Sequence, residues 1–283
     1  MRIRPSFREW YVRHAGELDA VVLDIDGVLC LDHKPLPGAR ALVGALRAAG
    51  TPFSLLTNDG NHSKRQKCAF LKACGVVVSE AQIVSCGDGL LELGAARKLA
   101  GKLFFVLGDL GRPCYAEAAG LRVTRRQRDL PRCAGIIIGE DNYDWEPNIN
   151  AAVNHCIRRP ATPLIVPNPD EYYGVGPSTV HVAAGGVARF IRRVLRTYGV
   201  RVDPVYLGKP HQPIFRHHHG MLERKLGGKV RRARVVLVGD SLASDIRGAN
   251  RFGYQSALVL TGVTNPDMLR TSRIRPDMVF RGL

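Results

Sequence analysis

The sequence predicts an α/β protein with a mostly parallel sheet. Hydrophobic residues make up 45% of the 283 residues, as expected of a packed globular protein. Short apolar and β-branched segments alternate with helical patterns, which is typical of strands joined by helical crossovers. Polar side chains follow directly where several of these segments end. The candidate strands are Ala20 to Leu23, Pro52 to Leu56, Leu103 to Leu107, Gly135 to Ile138, Pro163 to Val166, Val205 to Leu207, Val235 to Val238 and Ser256 to Leu260.

Helical patterns lie between these strands. The clearest examples are Ala39 to Ala49 and Ser63 to Ala73. The segment before residue 18 contains Phe7, Trp10 and Tyr11, and we expect it to form a helix that packs on the core. Docking to another protein is the alternative for this segment, although nothing in it specifies a partner.

The chain is strongly basic, with 41 Lys+Arg against 25 Asp+Glu and a formal charge of +16. Its basic residues are spread out, with clusters at Arg122 to Arg132, Arg189 to Arg201 and Arg224 to Arg234. The second cluster alternates with apolar residues at helical spacing, which predicts a solvated helix face. No zinc-finger spacing or aromatic-interleaved basic segment supports nucleic-acid binding. The charge instead suits an anionic substrate, which it would attract.

The sequence has no pattern of a membrane span, a signal peptide or a disulfide framework. Its apolar runs are far shorter than the roughly 20 residues that cross a bilayer. The N-terminus lacks an apolar run and carries an acid, so we expect a cytoplasmic protein. The seven cysteines are odd in number and include no C-x-x-C pair. Consecutive histidines, His217 to His219, cannot share one helix face, which argues against a metal site there.

Two carboxylates stand two residues apart at the end of the first apolar strand. The run from Val21 to Leu23 leads directly into Asp24-Ile-Asp26-Gly27. Ligands bind at the carboxyl ends of strands in an open α/β sheet. Two acids this close repel each other, and a bound cation or a shared proton offsets the repulsion. A solvated Asp-Gly turn is the alternative for this segment alone.

Three further strand ends carry polar groups suited to phosphate chemistry. The second candidate strand is followed by Thr57 and Asn58, which can donate hydrogen bonds to phosphate oxygens. Later strands are followed by Lys209 and by Asp240, with Asp245 shortly after. Because the carboxyl ends of parallel strands meet at one edge of a sheet, these groups are expected together. Carboxylates, donors and a lysine are suited to bind Mg²⁺ and a phosphoryl group.

Taken in order, these segments resemble the four motifs of the haloacid dehalogenase superfamily of phosphohydrolases, specifically its NagD-like branch. The matching segments are Asp24 to Leu29, Leu56 to Asn58, Leu207 to Pro210 and Gly239 to Ala249. The resemblance covers nearly the whole chain after about residue 18. A single D-x-D-G motif is weak evidence, whereas all four in order, with a large insert between the second and third, are specific.

The resemblance implies two domains. A Rossmann-like catalytic core would be assembled from residues 1–81 and 203–283, with an α/β cap domain inserted over residues 82–202. The cap would close over the carboxyl edge of the core sheet and exclude water from the site. The branch also suggests a homodimer formed through the cap, although no residue pattern of this chain specifies it.

The resemblance also implies roles for the core residues. Asp24 would attack phosphorus, and Asp26 would protonate the leaving alkoxide and then activate water. Mg²⁺ would bind the Asp24 carboxylate, the Asp26 carbonyl and the Asp240 carboxylate, while Asp245 would support these ligands without contacting the metal. The phosphoryl oxygens would be held by Thr57, the backbone at Asn58 and Lys209.

The chain departs from the usual pattern of the branch in two places. The branch commonly has asparagine after Thr57-Asn58, whereas this chain has Asp59, which would repel a dianionic substrate unless it turns away. The cap segment continues unusually as Glu171-Tyr-Tyr173, near where related pyridoxal phosphate phosphatases place a substrate contact. The candidate substrate contacts in the cap are Tyr143, Trp145, Asn168, Asp170 and Tyr173, with core packing as the alternative for the aromatic residues.

The predicted function is Mg²⁺-dependent hydrolysis of a small phosphorylated metabolite. Sugar phosphates, nucleoside monophosphates, pyridoxal phosphate and phosphoglycolate all stay open, because selectivity resides in the cap loops. One alternative is a non-catalytic protein of the same fold that binds phosphate for regulation, although such drift is expected to remove Asp24 or Asp240. A basic nucleic-acid-binding protein is the second alternative, and its affinity would fall steeply with salt.

Overall fold

Two parallel sheets form the frame of the protein, as seen in a computed structural model that describes residues 2–176 and 179–283. The strands are β1 (Ile3–Ser6), β2 (Ala20–Leu23), β3 (Cys30–Leu31), β4 (Lys34–Pro35), β5 (Phe53–Thr57), β6 (Ile83–Ser85), β7 (Leu103–Leu107), β8 (Arg122–Thr124), β9 (Gly135–Ile138), β10 (Leu164–Val166), β11 (Tyr172–Gly176), β12 (Thr179–Val182), β13 (Val205–Tyr206), β14 (Val235–Gly239), β15 (Gln255–Val259) and β16 (Met278–Gly282). The predicted α/β fold class is confirmed.

Helices cover the sheets. They are α1 (Phe7–His14), α2 (Ala39–Ala48), α3 (Lys64–Ala73), α4 (Gly89–Ala96), α5 (Tyr115–Ala118), α6 (Asn150–Arg158), α7 (Ala184–Thr197), α8 (Gln212–Leu226), α9 (Arg247–Phe252) and α10 (Pro266–Thr271). Within the described part of the chain, none of them combines the length and the apolar character needed to cross a membrane.

The larger sheet has seven strands in the order β1-β16-β15-β14-β2-β5-β6, and all neighbouring strands are parallel. Every residue of β2 and β14 is buried. Parallel strands covered on both faces are apolar throughout, which accounts for the Val- and Leu-rich sequences of these two strands. Because β14, β2 and β5 are adjacent, the residues that follow them are brought side by side.

The smaller sheet has five parallel strands in the order β13-β10-β9-β7-β8. From β7 the chain moves outward to β8 and then returns to β9 on the other side of β7. The strand order therefore reverses between β7 and β9, and ligands bind in the crevice at such a point in α/β sheets. An antiparallel hairpin, β11–β12, lies outside both sheets.

The two sheets refine the proposed domain boundaries. Strand β6 lies in the segment expected to belong to the cap, but it pairs with β5 of the larger sheet. Strand β13 lies in the segment expected to belong to the core, but it pairs with β10 of the smaller sheet. We therefore propose that the cap domain extends from about residue 86, just after β6, to about residue 206, at the end of β13.

The N-terminal segment differs from the expected single helix. It starts with β1, which extends the larger sheet by pairing with β16, and continues as α1. The Ser6 hydroxyl accepts a hydrogen bond from the Glu9 N–H and caps the helix. The sequence Ile3–Ser6 has no buried residue and no apolar run, so its pattern did not indicate a strand.

Two of the three consecutive histidines share one buried tyrosine. Nδ1 of His218 and Nδ1 of His219 each lie 3.1 Å from the Tyr254 hydroxyl, and Nε2 of His218 lies 2.7 Å from Ser54 Oγ. Burial lowers the pKa of His218 to about 3, so this ring is neutral and acts as a core hydrogen-bonding group.

We predict that α1 is part of the hydrophobic core. Phe7 is fully buried, and its ring lies edge-on to Phe280, 5.4 Å between centroids. Truncation in the variant Phe7→Ala is expected to lower the free energy of unfolding by about 3–5 kcal/mol in urea titrations. The control Val12→Ala, on the exposed side of the same helix, should change it by less than about 0.5 kcal/mol. Similar losses in both variants would contradict the prediction.

Candidate active site

Three carboxylates converge at the carboxyl ends of β2 and β14. Asp24 follows β2, Asp240 follows β14, and Asp245 lies in the turn before α9. Each offers an oxygen atom, and these oxygens all lie within 4.8 Å of one another. All three side chains are buried. The sequence predicted this convergence from the positions of the acids at strand ends.

A buried lysine joins two of these acids. The Nζ atom of Lys209 lies 2.9 Å from Asp24 Oδ1 and 2.6 Å from Asp245 Oδ1. Only 1% of the lysine side chain is exposed. Burial acts against the charge, but the two carboxylates outweigh it and raise the pKa of Lys209. The ammonium group is thus held charged at the centre of the site, with further donor capacity for an anionic ligand.

Asp240 is positioned by a tight backbone environment. Its Oδ2 atom accepts a hydrogen bond from the Val263 N–H at 2.6 Å. A Cβ atom on Gly27 would lie 2.3 Å from this oxygen, and a Cβ atom on Gly262 would lie 1.9 Å from it. Gly27 also has a φ of +73°, a conformation that other residues rarely adopt. Glycine is therefore required at both positions for Asp240 to reach the site.

The crowded carboxyl groups have raised pKa values. Burial, followed by the charge of Asp245, raises the pKa of Asp24 well above its ordinary value. The same two causes raise the pKa of Asp240 to about 7. A divalent cation among these oxygens would favour their ionised forms, because it supplies the opposite charge that the site lacks.

Asp26 stands apart from the three clustered side chains. The residue is partly accessible to solvent. Protein atoms packed around its carboxyl group, followed by the charge of Asp59, raise the pKa of Asp26 to about 6. The sequence predicted a general acid and base here, and this pKa is suited to both roles near neutral pH.

Of the other two predicted phosphate-binding residues, Asn58 is hydrogen-bonded to Lys209 and Thr57 directly precedes Asn58. Thr57 is buried at the end of β5, and its Oγ1 accepts the Asp59 N–H at 2.9 Å. The Asn58 side chain accepts from the Lys209 N–H at 2.7 Å and donates to the Lys209 carbonyl at 2.8 Å. Asn58 also donates to the Asp170 carboxylate at 2.9 Å. This one amide therefore connects the second motif, the lysine loop and the cap.

Asp59 is paired with two basic side chains of the segment that follows it. Its Oδ2 lies 3.0 Å from His62 Nδ1 and 3.3 Å from Lys67 Nζ. Its Oδ1 accepts the N–H groups of Asn61 and His62. Burial acts to raise its pKa, but Lys67 and His62 outweigh burial and hold the pKa of Asp59 well below its usual range. The negative charge of Asp59, which stands where the branch commonly has asparagine, is thus compensated by nearby basic side chains.

Two of the five cap candidates contact other parts of the site. Asp170 receives the hydrogen bond from Asn58, and burial raises the pKa of Asp170 to about 6. Tyr173 donates its hydroxyl to Asp141 Oδ1 at 2.8 Å. Asn168 is buried behind Asp170, whose N–H it accepts at 2.9 Å.

The other two aromatic candidates take part in cap packing. Tyr143 donates its hydroxyl to the Gly139 carbonyl at 3.1 Å and packs against the cap core. Trp145 is half exposed, and its ring lies 4.9 Å from that of Phe190 on α7. The structure does not bring either side chain into hydrogen-bond contact with the core motifs.

Sequence reasoning missed several residues that join the cap to the core. Asn61 donates to Asp141 Oδ2 at 2.7 Å, and Lys67 lies 3.4 Å from the hydroxyl of Tyr115. In the sequence, Lys67 is one basic residue among several on α3. Its burial could have been suspected only because the negative charge of Asp59 needs a positive charge close to it.

We predict that Lys67 and Asp59 form a coupled pair. Lys67→Met removes the buried one of the two basic groups that compensate the Asp59 carboxylate and is expected to cost about 3–5 kcal/mol of unfolding free energy in urea titrations. The double variant Asp59→Asn/Lys67→Met should recover most of this loss. Lys72→Met, on the exposed side of the same helix, serves as the control. If Lys67→Met costs no more than the control, the pair has no structural role.

Two family models match the chain. A haloacid dehalogenase-like hydrolase model matches residues 21–122, and a HAD-hydrolase-like model matches residues 206–283. All four motif segments fall within these matches. Together they cover six of the seven strands of the larger sheet, all except β1.

Similar proteins share the whole architecture. The ribonucleotide monophosphatase NagD of Escherichia coli (strain K12) is 26% identical over 261 residues, which cover 92% of this chain and 94% of NagD. A possible sugar phosphatase of the HAD superfamily from Cytophaga hutchinsonii is 26% identical with a TM-score of 0.83, over 100% of this chain and 98% of that one. A glycerol phosphate phosphatase from Mycobacterium tuberculosis, solved with magnesium, shares the fold at 22% identity and a TM-score of 0.76, over 94% of this chain and 76% of that one.

The motifs, the sheets and the matched models define a phosphoric monoester hydrolase of the haloacid dehalogenase type. Within this superfamily the chain belongs to the NagD-like branch, as its motifs predicted. Relatives in the branch are named as phosphatases of small phosphorylated compounds.

Proposed function

We propose that the protein hydrolyses a small phosphate monoester in a Mg²⁺-dependent reaction through an aspartyl-phosphate on Asp24. The observation that carries this proposal is the cluster of Asp24, Asp240 and Asp245 around the Lys209 ammonium. Phosphate monoesters resist attack because their oxygens are negative, so catalysis depends on positioning and on charge neutralisation. The cluster offers a nucleophile, a cation and ligands for a second cation in one place.

The donor set fits magnesium. Mg²⁺ favours carboxylate and carbonyl oxygens, and we propose the carboxylates of Asp24 and Asp240 and the carbonyl of Asp26 as its ligands. Both oxygens of Asp245 are engaged, one by Lys209 Nζ and the other by the Ser241 N–H at 3.1 Å. This supports a positioning role for Asp245. When bound, the metal would supply positive charge to the phosphoryl oxygens.

The chain's own residues would carry the two chemical steps. In the first, the Asp24 carboxylate forms a bond to phosphorus while the bond to the ester oxygen breaks, and Asp26 gives its proton to the leaving alkoxide. In the second, water attacks phosphorus and gives its proton to Asp26. The Asp24–phosphorus bond then breaks, and inorganic phosphate leaves. The pKa of about 6 at Asp26 allows it to act in both directions.

The remaining core residues would hold the phosphoryl group. We propose that the Lys209 ammonium, the Thr57 hydroxyl and the backbone at Asn58 donate to its oxygens. Lys209 is already oriented by two carboxylates, so its ammonium group needs little rearrangement to donate a hydrogen bond to a phosphate beside Asp24. In the cap, the proposed contacts toward the rest of the substrate are Asp170, which accepts a hydrogen bond from Asn58 of the core, and Tyr173, which bonds Asp141 within the cap.

The test is hydrolysis of a panel of phosphate monoesters, including p-nitrophenyl phosphate, with Mg²⁺ and with a chelator. We expect Mg²⁺-dependent turnover that Asp24→Asn lowers by roughly a thousandfold or more. Asp267→Asn, at a largely exposed aspartate on α10, is the matched control and should retain full activity. Turnover that persists in Asp24→Asn, or no turnover of any ester, would contradict the proposal.

A further inference from the structure

The cap loop Gly139–Asp144 lies at the point where the order of the smaller sheet reverses. This loop follows β9, and the loop after β7 lies beside it. The two loops are joined by backbone hydrogen bonds in both directions between Asp109 and Glu140. In sheets of this kind, the crevice at such a reversal is where a ligand binds. The cap therefore has its own predicted ligand-binding edge, separate from the motifs of the core.

The same loop is strained. Asp141, Asn142 and Asp144 have φ values of +44°, +38° and +50°, all in the left-handed region. Non-glycine residues stay in this region when surrounding contacts hold them there, and such strain concentrates at ligand sites. Glu140 adds a second irregularity. It is buried, and within the described residues its Oε1 atom has no hydrogen-bond partner.

Asp141 connects this loop to the catalytic core. Its Oδ2 accepts from the Asn61 side chain at 2.7 Å, and its Oδ1 accepts from the Tyr173 hydroxyl at 2.8 Å. Asn61 lies four residues after Thr57, so Asp141 is held close to the phosphate-binding segment. A carboxylate can accept about four hydrogen bonds, which leaves acceptor capacity for a ligand.

The cap groups near this position are hydrogen-bond acceptors and acids. Asp141 and Asp170 belong to the cap, whereas the buried Lys209 ammonium is bound to the core acids. Carboxylates of this kind accept hydrogen bonds from the hydroxyl groups of a ligand. They repel a second negative charge.

On the basis of the proposed phosphatase activity, we propose that Asp141 determines specificity. It would select phosphate monoesters whose leaving group carries free hydroxyl groups and disfavour leaving groups that carry a carboxylate. Of the substrate classes left open by the sequence, this favours sugar and polyol phosphates over phosphoglycolate. The Asp141 carboxylate would accept from a leaving-group hydroxyl while Asn61 and Tyr173 keep it in place.

The test compares kcat/KM for two groups of esters. Glycerol 3-phosphate, ribose 5-phosphate and glucose 6-phosphate carry free hydroxyl groups and no carboxylate, whereas phosphoglycolate and 2-phospholactate carry a carboxylate and no hydroxyl group. We expect the best ester of the first group to exceed the best of the second by at least about tenfold. Asp141→Asn should reduce this ratio by about tenfold, because the amide no longer repels the carboxylate.

A further variant separates charge from structure. Asp144→Asn makes the same substitution at an exposed, left-handed position of the same loop and should leave the ratio unchanged. Asparagine tolerates the left-handed conformation, so Asp141→Asn is expected to fold.

The possible results distinguish this inference from the proposed function. A protein that hydrolyses none of the esters contradicts both. A protein that hydrolyses both groups equally well contradicts the specificity inference alone. The inference is also overturned if Asp144→Asn reduces the ratio as much as Asp141→Asn does.

Discussion

The buried ion pair of Lys209 with Asp24 and Asp245 is the interaction on which the rest of the site depends. A lysine and acids buried this deeply are stable only when each compensates the charge of the other. Their approach requires adjacent parallel strands β2 and β14, whose carboxyl ends bring Asp24 and Asp240 together. The position of Asp240 beside Asp24 also requires glycines at positions 27 and 262, where any side chain would collide with Asp240. The sheet order and the local backbone are thus matched to one cluster of charges.

The segment of residues 57–67 is one of the links between this cluster and the cap. Three residues of this segment contact cap side chains. Asn58, at the end of the second motif, bonds Asp170, and Asn61, in the loop after it, bonds Asp141. Lys67, on α3, lies 3.4 Å from the hydroxyl of Tyr115. A change in the position of the cap would therefore shift the residues that we propose to hold the phosphate. This arrangement provides a physical route by which recognition of the leaving group could affect positioning of the phosphoryl group.

The sequence was sufficient for the parts of the structure that depend on local pattern. Buried parallel strands are continuous apolar runs, so β2 and β14 and the acids after them could be recognised directly. The short edge strands β1 and β6 could not, because edge pairing leaves little periodicity in so few residues. The contacts of Asp141 and Lys67 could not be predicted for another reason. Their roles arise from contacts between segments distant in sequence, and an isolated acid or lysine has no pattern that reveals its partner.

The most direct test of the account is the effect of Mg²⁺ on thermal stability. If the buried carboxylates need a divalent cation, saturating Mg²⁺ should raise the melting temperature of the wild type by several degrees over a chelator control, corresponding to roughly 2–4 kcal/mol. Asp240→Asn should lose this increase, and its melting temperature without Mg²⁺ should be no lower than that of the wild type, because one repelling carboxyl group has been removed. No increase in the wild type, or an equal increase in the variant, would contradict the proposal that these carboxylates form the metal site.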